Sequence, residues 1–172
     1  MPARRSDAAP DRESVGDPGF SPLSTPPRGD GDQRAPRRER FLFWTEEKLR
    51  NMDTDQFGHV NNSAIATFLE AGRMEMLKHP AVRPSMDGIS LVVVRLLMVF
   101  HKELFYPGMI EVGSVVTRIG RTSFDASQAI FASAGCVVSA EATCVLLNIE
   151  TRRPHPVPDA VRRHLIAPAA RS

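Results

Sequence analysis

The sequence predicts an α+β domain in which one long helix is wrapped by a curled antiparallel sheet of about five strands. Three observations carry this expectation. Only Ser63–Lys78 holds apolar residues at helical spacing over a long stretch, with Ile65, Phe68, Leu69, Met76 and Leu77 on one side. Four strand-like segments then follow between Ile89 and Leu146, separated by tight turns, and strands joined by tight turns pair antiparallel. A single helix with little polar surface packs on a small sheet only if the sheet curls round it.

The elements follow in order. Phe41–Lys48 alternates loosely and reads as a first strand, and Arg50–Asn62 is a polar loop containing Gly58. Asn61 or Asn62 can cap the helix, since a short side-chain oxygen accepts a free backbone N–H there. Pro80 and Pro84 stop the helix near Lys78 or His79. Met74 and Met76 read as core filler. Ile89–Phe100 is apolar on both faces except for Arg95, which suits a long central strand. Tyr106-Pro107-Gly108 is a turn, after which Ile110, Val112 and Val116 mark a third strand that Gly120 breaks. Phe124, Ala126, Ile130 and Ala132 alternate in a fourth. Ser133–Gly135 turns, and Val138, Ala140, Ala142, Cys144 and Leu146 line one face of a fifth. Pro154, Pro156 and Pro158 end the sheet, and Asp159–Leu165 reads as a short last helix.

Residues 1–40 have a different composition. They hold seven of the 14 prolines, eight arginines, seven acids and one aromatic, Phe20, too little apolar surface to offset the entropy of ordering. The expected organisation is a disordered tail over 1–40, a folded domain over 41–166 and a disordered C-terminus over 167–172. No apolar stretch follows Arg4 and Arg5, which argues against a secretory signal. Asp7, Asp11, Glu13 and Asp17 argue against a mitochondrial-type presequence.

Composition excludes several classes of function. A net charge of +2, from 22 basic and 20 acidic side chains, gives no electrostatic case for nucleic acid or an anionic membrane. The longest apolar runs, Leu91–Val94 and Leu96–Phe100, fall short of the roughly 18 residues a membrane helix needs. Cys136 and Cys144 on one strand stand roughly 26 Å apart and cannot bridge. A reducing, cytoplasmic location is the simpler expectation. No His/Cys cluster has metal-ligand spacing and no Gly-rich phosphate loop is present, so neither a metal nor a cofactor is expected.

The chemistry concentrates in the loop from Asn51 to Asn62. In an extended stretch Asp53 and Asp55 would point the same way, and the helix that follows offers free N–H groups and a partial positive charge. A carboxylate beside such a helix end can activate water or attack a carbonyl while the N–H groups stabilise the oxyanion. Aspartates before a helix are common as turn formers and caps, and the residues alone leave both readings open.

Asp53-Thr54-Asp55-Gln56-Phe57-Gly58-His59-Val60-Asn61-Asn62, with Phe68-Leu69-Glu70-Ala71-Gly72-Arg73 following, resembles the 4-hydroxybenzoyl-CoA-thioesterase-like branch of the hot-dog-fold acyl-CoA thioesterases. The resemblance covers roughly Phe41–Leu165, and Arg118-Ile119-Gly120-Arg121-Thr122-Ser123-Phe124 extends it. It implies a hot-dog fold, an acyl-CoA substrate, and a homodimer or homotetramer with sites at the interface. Coenzyme A would enter only as part of the substrate. Asp55 matches the catalytic carboxylate, as nucleophile or general base. Gly58, His59 and Val60 match positions whose backbone N–H groups polarise the thioester carbonyl, and His59 either orients substrate or makes a structural hydrogen bond. Asn61 and Asn62 match paired asparagines that capping alone also explains. Glu70 matches a second acid on the helix, or else pairs with Arg73. Arg121, Thr122 and Ser123 match positions near coenzyme A. Asp53 is assigned to structure, pairing with Arg50 or Arg73. The chain departs from the pattern at Ile65 and Phe68, where many relatives carry tyrosines, which favours aliphatic over phenolic acyl groups. The same loss keeps open a catalytically silent protein that binds acyl thioesters. A hydratase on this fold is disfavoured, because the Asp and His around an Asn-Pro are missing.

Overall fold

A computed structural model describes residues 34–166. Most of the expected tail, residues 1–33, and the expected C-terminal stretch 167–172 lie outside the described residues. The elements run β1 (Phe43–Lys48), α1 (Asn62–Leu77), β2 (Ile89–Phe100), β3 (Met109–Ile119), β4 (Ser123–Ala132), β5 (Gly135–Asn148) and α2 (Asp159–His164). The five strands form one sheet in the order β1-β3-β4-β5-β2, with every neighbouring pair antiparallel. This is the hot-dog fold, α+β with a curled sheet around one long helix.

Helix α1 begins where Asn61, itself extended, accepts the Ser63 N–H on its side chain at 2.9 Å. Ile65, Phe68, Leu69, Gly72, Met76 and Leu77 recur at three- and four-residue steps and are buried against the sheet. Met74 falls off that stripe and is exposed, so only Met76 of the two methionines fills the core. Gly72 marks the closest approach of α1 to the sheet. A Cβ there would stand 2.6 Å from Val112 Cγ1 and 3.1 Å from Ser114 Oγ, so only glycine lets the helix sit this low.

Beneath that crossing lies a buried polar knot. Gln128, on β4, donates to the Leu69 carbonyl (2.9 Å) and to Ser114 Oγ (2.8 Å), and its oxygen accepts from Arg73 Nη1 at 2.7 Å. Arg73 thus turns inward, and the expected Arg73–Glu70 ion pair does not form. Burial pulls the Arg73 guanidinium below its ordinary pKa. On the other face of β3 and β4, Phe41, Val115, Ala129, Phe131 and Cys136 form a separate cluster, with Trp44 packed against it. Arg38 lies 4.1 Å over the Trp44 ring and forks onto Glu111 at 2.8 and 2.9 Å, so folded contacts start before residue 41.

One expectation is corrected. Strand β2, read as central, is the edge beyond β5. An apolar run on both faces marks a strand covered on both sides, and in a single chain β2 is not covered: Val94 is 61% exposed, and Leu97 and Phe100 are about half exposed. Cys136 and Cys144 both lie on β5 as free, buried thiols, and burial pushes Cys144 up to about 11, so neither is a nucleophile near neutral pH.

Candidate active site

The loop before α1 folds on itself. A short 3-10 turn, Asn51–Asp53, ends at Thr54, which bridges to Val60. Between them the Asp55 N–H donates to the His59 carbonyl at 2.8 Å, and Gly58 takes φ +84°, a left-handed conformation that suits glycine. The two aspartates therefore diverge, contrary to the extended reading. Asp53 is buried and accepts from the Arg50 N–H (2.7 Å) and its guanidinium (2.8 and 3.1 Å), which hold its carboxyl below the usual range. Arg50, not Arg73, is its partner. Asp55 instead lines an open cleft of about 390 Å³ together with His59, Asn62, Ile65, His101 and Glu103.

Asp55 is held from one side only. Its Oδ1 accepts the N–H groups of Phe57 (2.8 Å) and His59 (3.1 Å), while Oδ2 is left for the cleft and stands 3.9 Å from His59 Nδ1. An oriented carboxylate with one free oxygen is what a general base or nucleophile requires.

The three N–H groups expected to polarise the carbonyl have acceptors within the fold. The N–H of Gly58 goes to the Asp55 carbonyl (3.1 Å), that of His59 to Asp55 Oδ1, and that of Val60 to the Leu104 carbonyl (2.8 Å). All three are occupied, because the loop satisfies its own backbone as it closes. Asn61 donates to the Asp53 carbonyl at 2.8 Å and acts as the helix cap. The N–H groups of Gln56 and of Asn62, the first residue of α1, have no acceptor among the described residues, and of the two only Asn62 lines the cleft.

The remaining residues separate. Glu70 is exposed two turns along α1 and lines a different cavity of about 430 Å³, between α1 and β2, with Arg73, Met74 and Leu91. The structure does not bring it to Asp55. Arg121, Thr122 and Ser123 lie at the far end of β4. Ser123 pairs with Val145 of β5, whereas Val138 lines the Asp55 cleft, and seven residues of strand span roughly 23 Å. Within one chain they are not part of the cleft. Sequence reasoning missed the second wall, His101–Leu104, which follows β2. His101 Nε2 is 2.8 Å from Ser139 Oγ, Glu103 Oε1 is 3.3 Å from His59 Nε2, and Phe105 packs on the His59 ring at 4.9 Å between centroids. Only the run of His, Lys and Glu straight after a strand signals it. Among the described residues no group of three or more His, Cys, Asp or Glu is placed to hold a metal ion, and no helix is long and apolar enough to cross a membrane.

A five-stranded antiparallel sheet curled around one long helix, with Asp55 and the first residue of that helix lining one cleft, defines a hot-dog protein. Residues 49–165 match the model of the thioesterase-like superfamily, and the chain belongs to that family. Among solved structures, a predicted thioesterase from Bacillus stearothermophilus is similar at 28% identity, covering 74% of this chain and 98% of that one, with a TM-score of 0.63. A protein from Pseudomonas aeruginosa strain PAO1 aligns at 24% identity over 74% of this chain and 92% of its own, with a TM-score of 0.68. A thioesterase from Thermus thermophilus, solved with coenzyme A and Zn, aligns at 24% identity over 74% of this chain and 99% of its own, with a TM-score of 0.64. Among curated proteins there is no match.

Proposed function

We propose that the chain is an acyl-CoA thioesterase, releasing a free acid and coenzyme A, with Asp55 as the catalytic carboxylate. The observation that carries this is the pairing of a free Asp55 Oδ2 with an unclaimed Asn62 N–H in one cleft. The carboxylate activates water or attacks the thioester carbonyl, and the helix-end N–H receives the oxyanion in a site that needs no reorganisation. Ile65 lines the wall of the cleft, and its lack of a hydroxyl favours an aliphatic acyl group. The binding of coenzyme A in the Thermus relative supports the substrate class.

The same reading makes the working form at least a homodimer. If two β2 edges pair about a two-fold axis, they run antiparallel, so the Ile89 end of one chain meets the Phe100 end of the other. The Phe100 end borders the Asp55 cleft, and the Ile89 end lies on the side of the sheet that carries Arg121–Ser123. Such pairing would bring Arg121 of one protomer toward the cleft of its partner, where a guanidinium suits the phosphates of coenzyme A. It would also cover the apolar edge.

Release of free thiol from a panel of acyl-CoAs, short to long, tests the function. Turnover of an aliphatic member supports it. Binding without turnover of any member assigns the chain to silent acyl-thioester binding instead.

A further inference from the structure

Glu103 has no part in the reading above, yet it meets the loop that carries Asp55. The segment after β2 is laced to that loop. Val60 donates to the Leu104 carbonyl at 2.8 Å, His59 bridges antiparallel to Phe105, and the Phe105 ring lies on the imidazole. The imidazole thereby stands between two carboxylates. Nε2 stands 3.3 Å from Glu103 Oε1 and Nδ1 stands 3.9 Å from Asp55 Oδ2. The other charged or titratable groups of the cleft are engaged elsewhere: His101 Nε2 with Ser139, and Lys102 Nζ with the Ala134 carbonyl.

A neutral imidazole carries its proton on one nitrogen, and the partner of that nitrogen chooses which. We propose that Glu103 is a positioning residue that holds His59 in the Nε2–H tautomer, so that Nδ1 and Asp55 Oδ2 together seat the attacking water. The proposal rests on the thioesterase reading and assigns Asp55 the general-base role. With the proton on Nε2, Nδ1 becomes an acceptor facing a second acceptor. Two acceptors each about 2.8 Å from one water, along its two O–H bonds, stand roughly 4.4 Å apart, against 3.9 Å here. A water held by both O–H groups has its lone pairs turned to the thioester carbon. The new C–O bond forms as one water proton passes to Asp55 Oδ2. Collapse of the tetrahedral intermediate breaks the C–S bond. The sulfur leaves with the bonding pair and takes up that proton, which restores Asp55. His59 gains no proton in the cycle and orients the water only.

The test is the ¹⁵N spectrum of the imidazoles in the full-length protein at about pH 8, above the ordinary histidine value of roughly 6.5. A His59→Gln variant assigns the signals. In the wild type His59 shows Nε2 protonated and Nδ1 bare, and Glu103→Ala moves it toward a tautomer mixture, whereas Glu103→Gln, which keeps an acceptor oxygen beside Nε2, restores it. In parallel Glu103→Ala lowers kcat by about fivefold, the most that an exposed pair of this kind supplies, with KM unchanged and with Glu103→Gln near wild type. A wild-type Nδ1–H tautomer, a doubly protonated ring, or a tautomer unmoved in Glu103→Ala overturns the assignment. So does a tautomer shift that leaves kcat untouched. The spectrum reads the tautomer whether or not thioesters are hydrolysed, so failure of the thioesterase reading is a separate result.

Discussion

Compared with Asn62→Ala, Asn62→Pro removes the backbone N–H and adds only the pyrrolidine ring. Asn62 is the first residue of α1, where the N–H has no acceptor among the described residues and where proline is well tolerated. The residue before it already has what a proline requires: Asn61 is extended, with φ −63° and ψ 143°. The helix, its Asn61 cap and the Asp55 turn therefore stay in place. The variant lacks the donor that the oxyanion needs, and loss of one such donor costs about 10²–10³ in kcat, or about 2.7–4 kcal/mol of transition-state stabilisation. Asn62→Ala is the control, since it deletes the same side chain and keeps the N–H. Free-thiol release is measured on both at saturating acyl-CoA, alongside thermal melting. The expected result is a Pro variant melting within a few degrees of the Ala variant but turning over at least a hundredfold more slowly, by the same estimate. Equal kcat in two folded variants would falsify the placement of the oxyanion at the start of α1.

Asp53→Asn separates scaffold from chemistry. It removes the charge that Arg50 grips, costs about 1–2 kcal/mol after allowance for the exposed guanidinium, and leaves kcat within a few-fold at 25 °C; a kinetic loss as deep as that of an Asp55 variant would contradict the division of roles. Because the native pKa of Asp53 is lowered, its contribution is full above its unfolded value of roughly 3.9 and is lost as pH falls through the native value. The difference in melting temperature between wild type and Asp53→Asn should accordingly close below about pH 4, and a gap that widens in acid would reverse the sign. Gln128→Leu leaves the buried Arg73 guanidinium and Ser114 without their partner, at a cost of about 3 kcal/mol or more; a melting point unchanged by the substitution would show that the knot contributes nothing. Leu97→Lys places a charge on the exposed apolar edge strand and should shift the protein toward monomer in light scattering, with loss of turnover; an intact dimer would place the interface elsewhere.

The legible parts of this molecule were those set by local rules. The 3.6-residue apolar stripe from Ile65 to Leu77, the Asn61 cap and the tight turns between β3, β4 and β5 are each encoded within a few residues, and each stands where the spacing puts it. The position of β2 was not legible, because a run apolar on both faces looks the same in a central strand and in an edge strand that lacks cover in one chain. The turn around Asp55 was readable from Gly58, but its hydrogen bonding was not: the fold engages the N–H groups of Gly58, His59 and Val60 and leaves that of Asn62 without an acceptor among the described residues. The wall formed by His101, Glu103 and Leu104 lies some forty residues downstream and reaches His59 only through tertiary pairing.

The central claim is that Asp55 performs the chemistry of a thioester hydrolase, and Asp55→Asn tests it most directly. The Asn oxygen can still accept from Phe57 and His59, as Asp55 Oδ1 does, so the turn survives. Its amide nitrogen then occupies the Oδ2 position facing the cleft, where it neither takes a proton from water nor attacks a carbonyl. The measurement is kcat for the best acyl-CoA of the panel, with acyl-CoA affinity determined on the same preparations by calorimetry. The account predicts a loss of about 10²–10⁴ in kcat with affinity and melting temperature retained. A folded Asp55→Asn protein that hydrolyses acyl-CoA at the wild-type rate would contradict it.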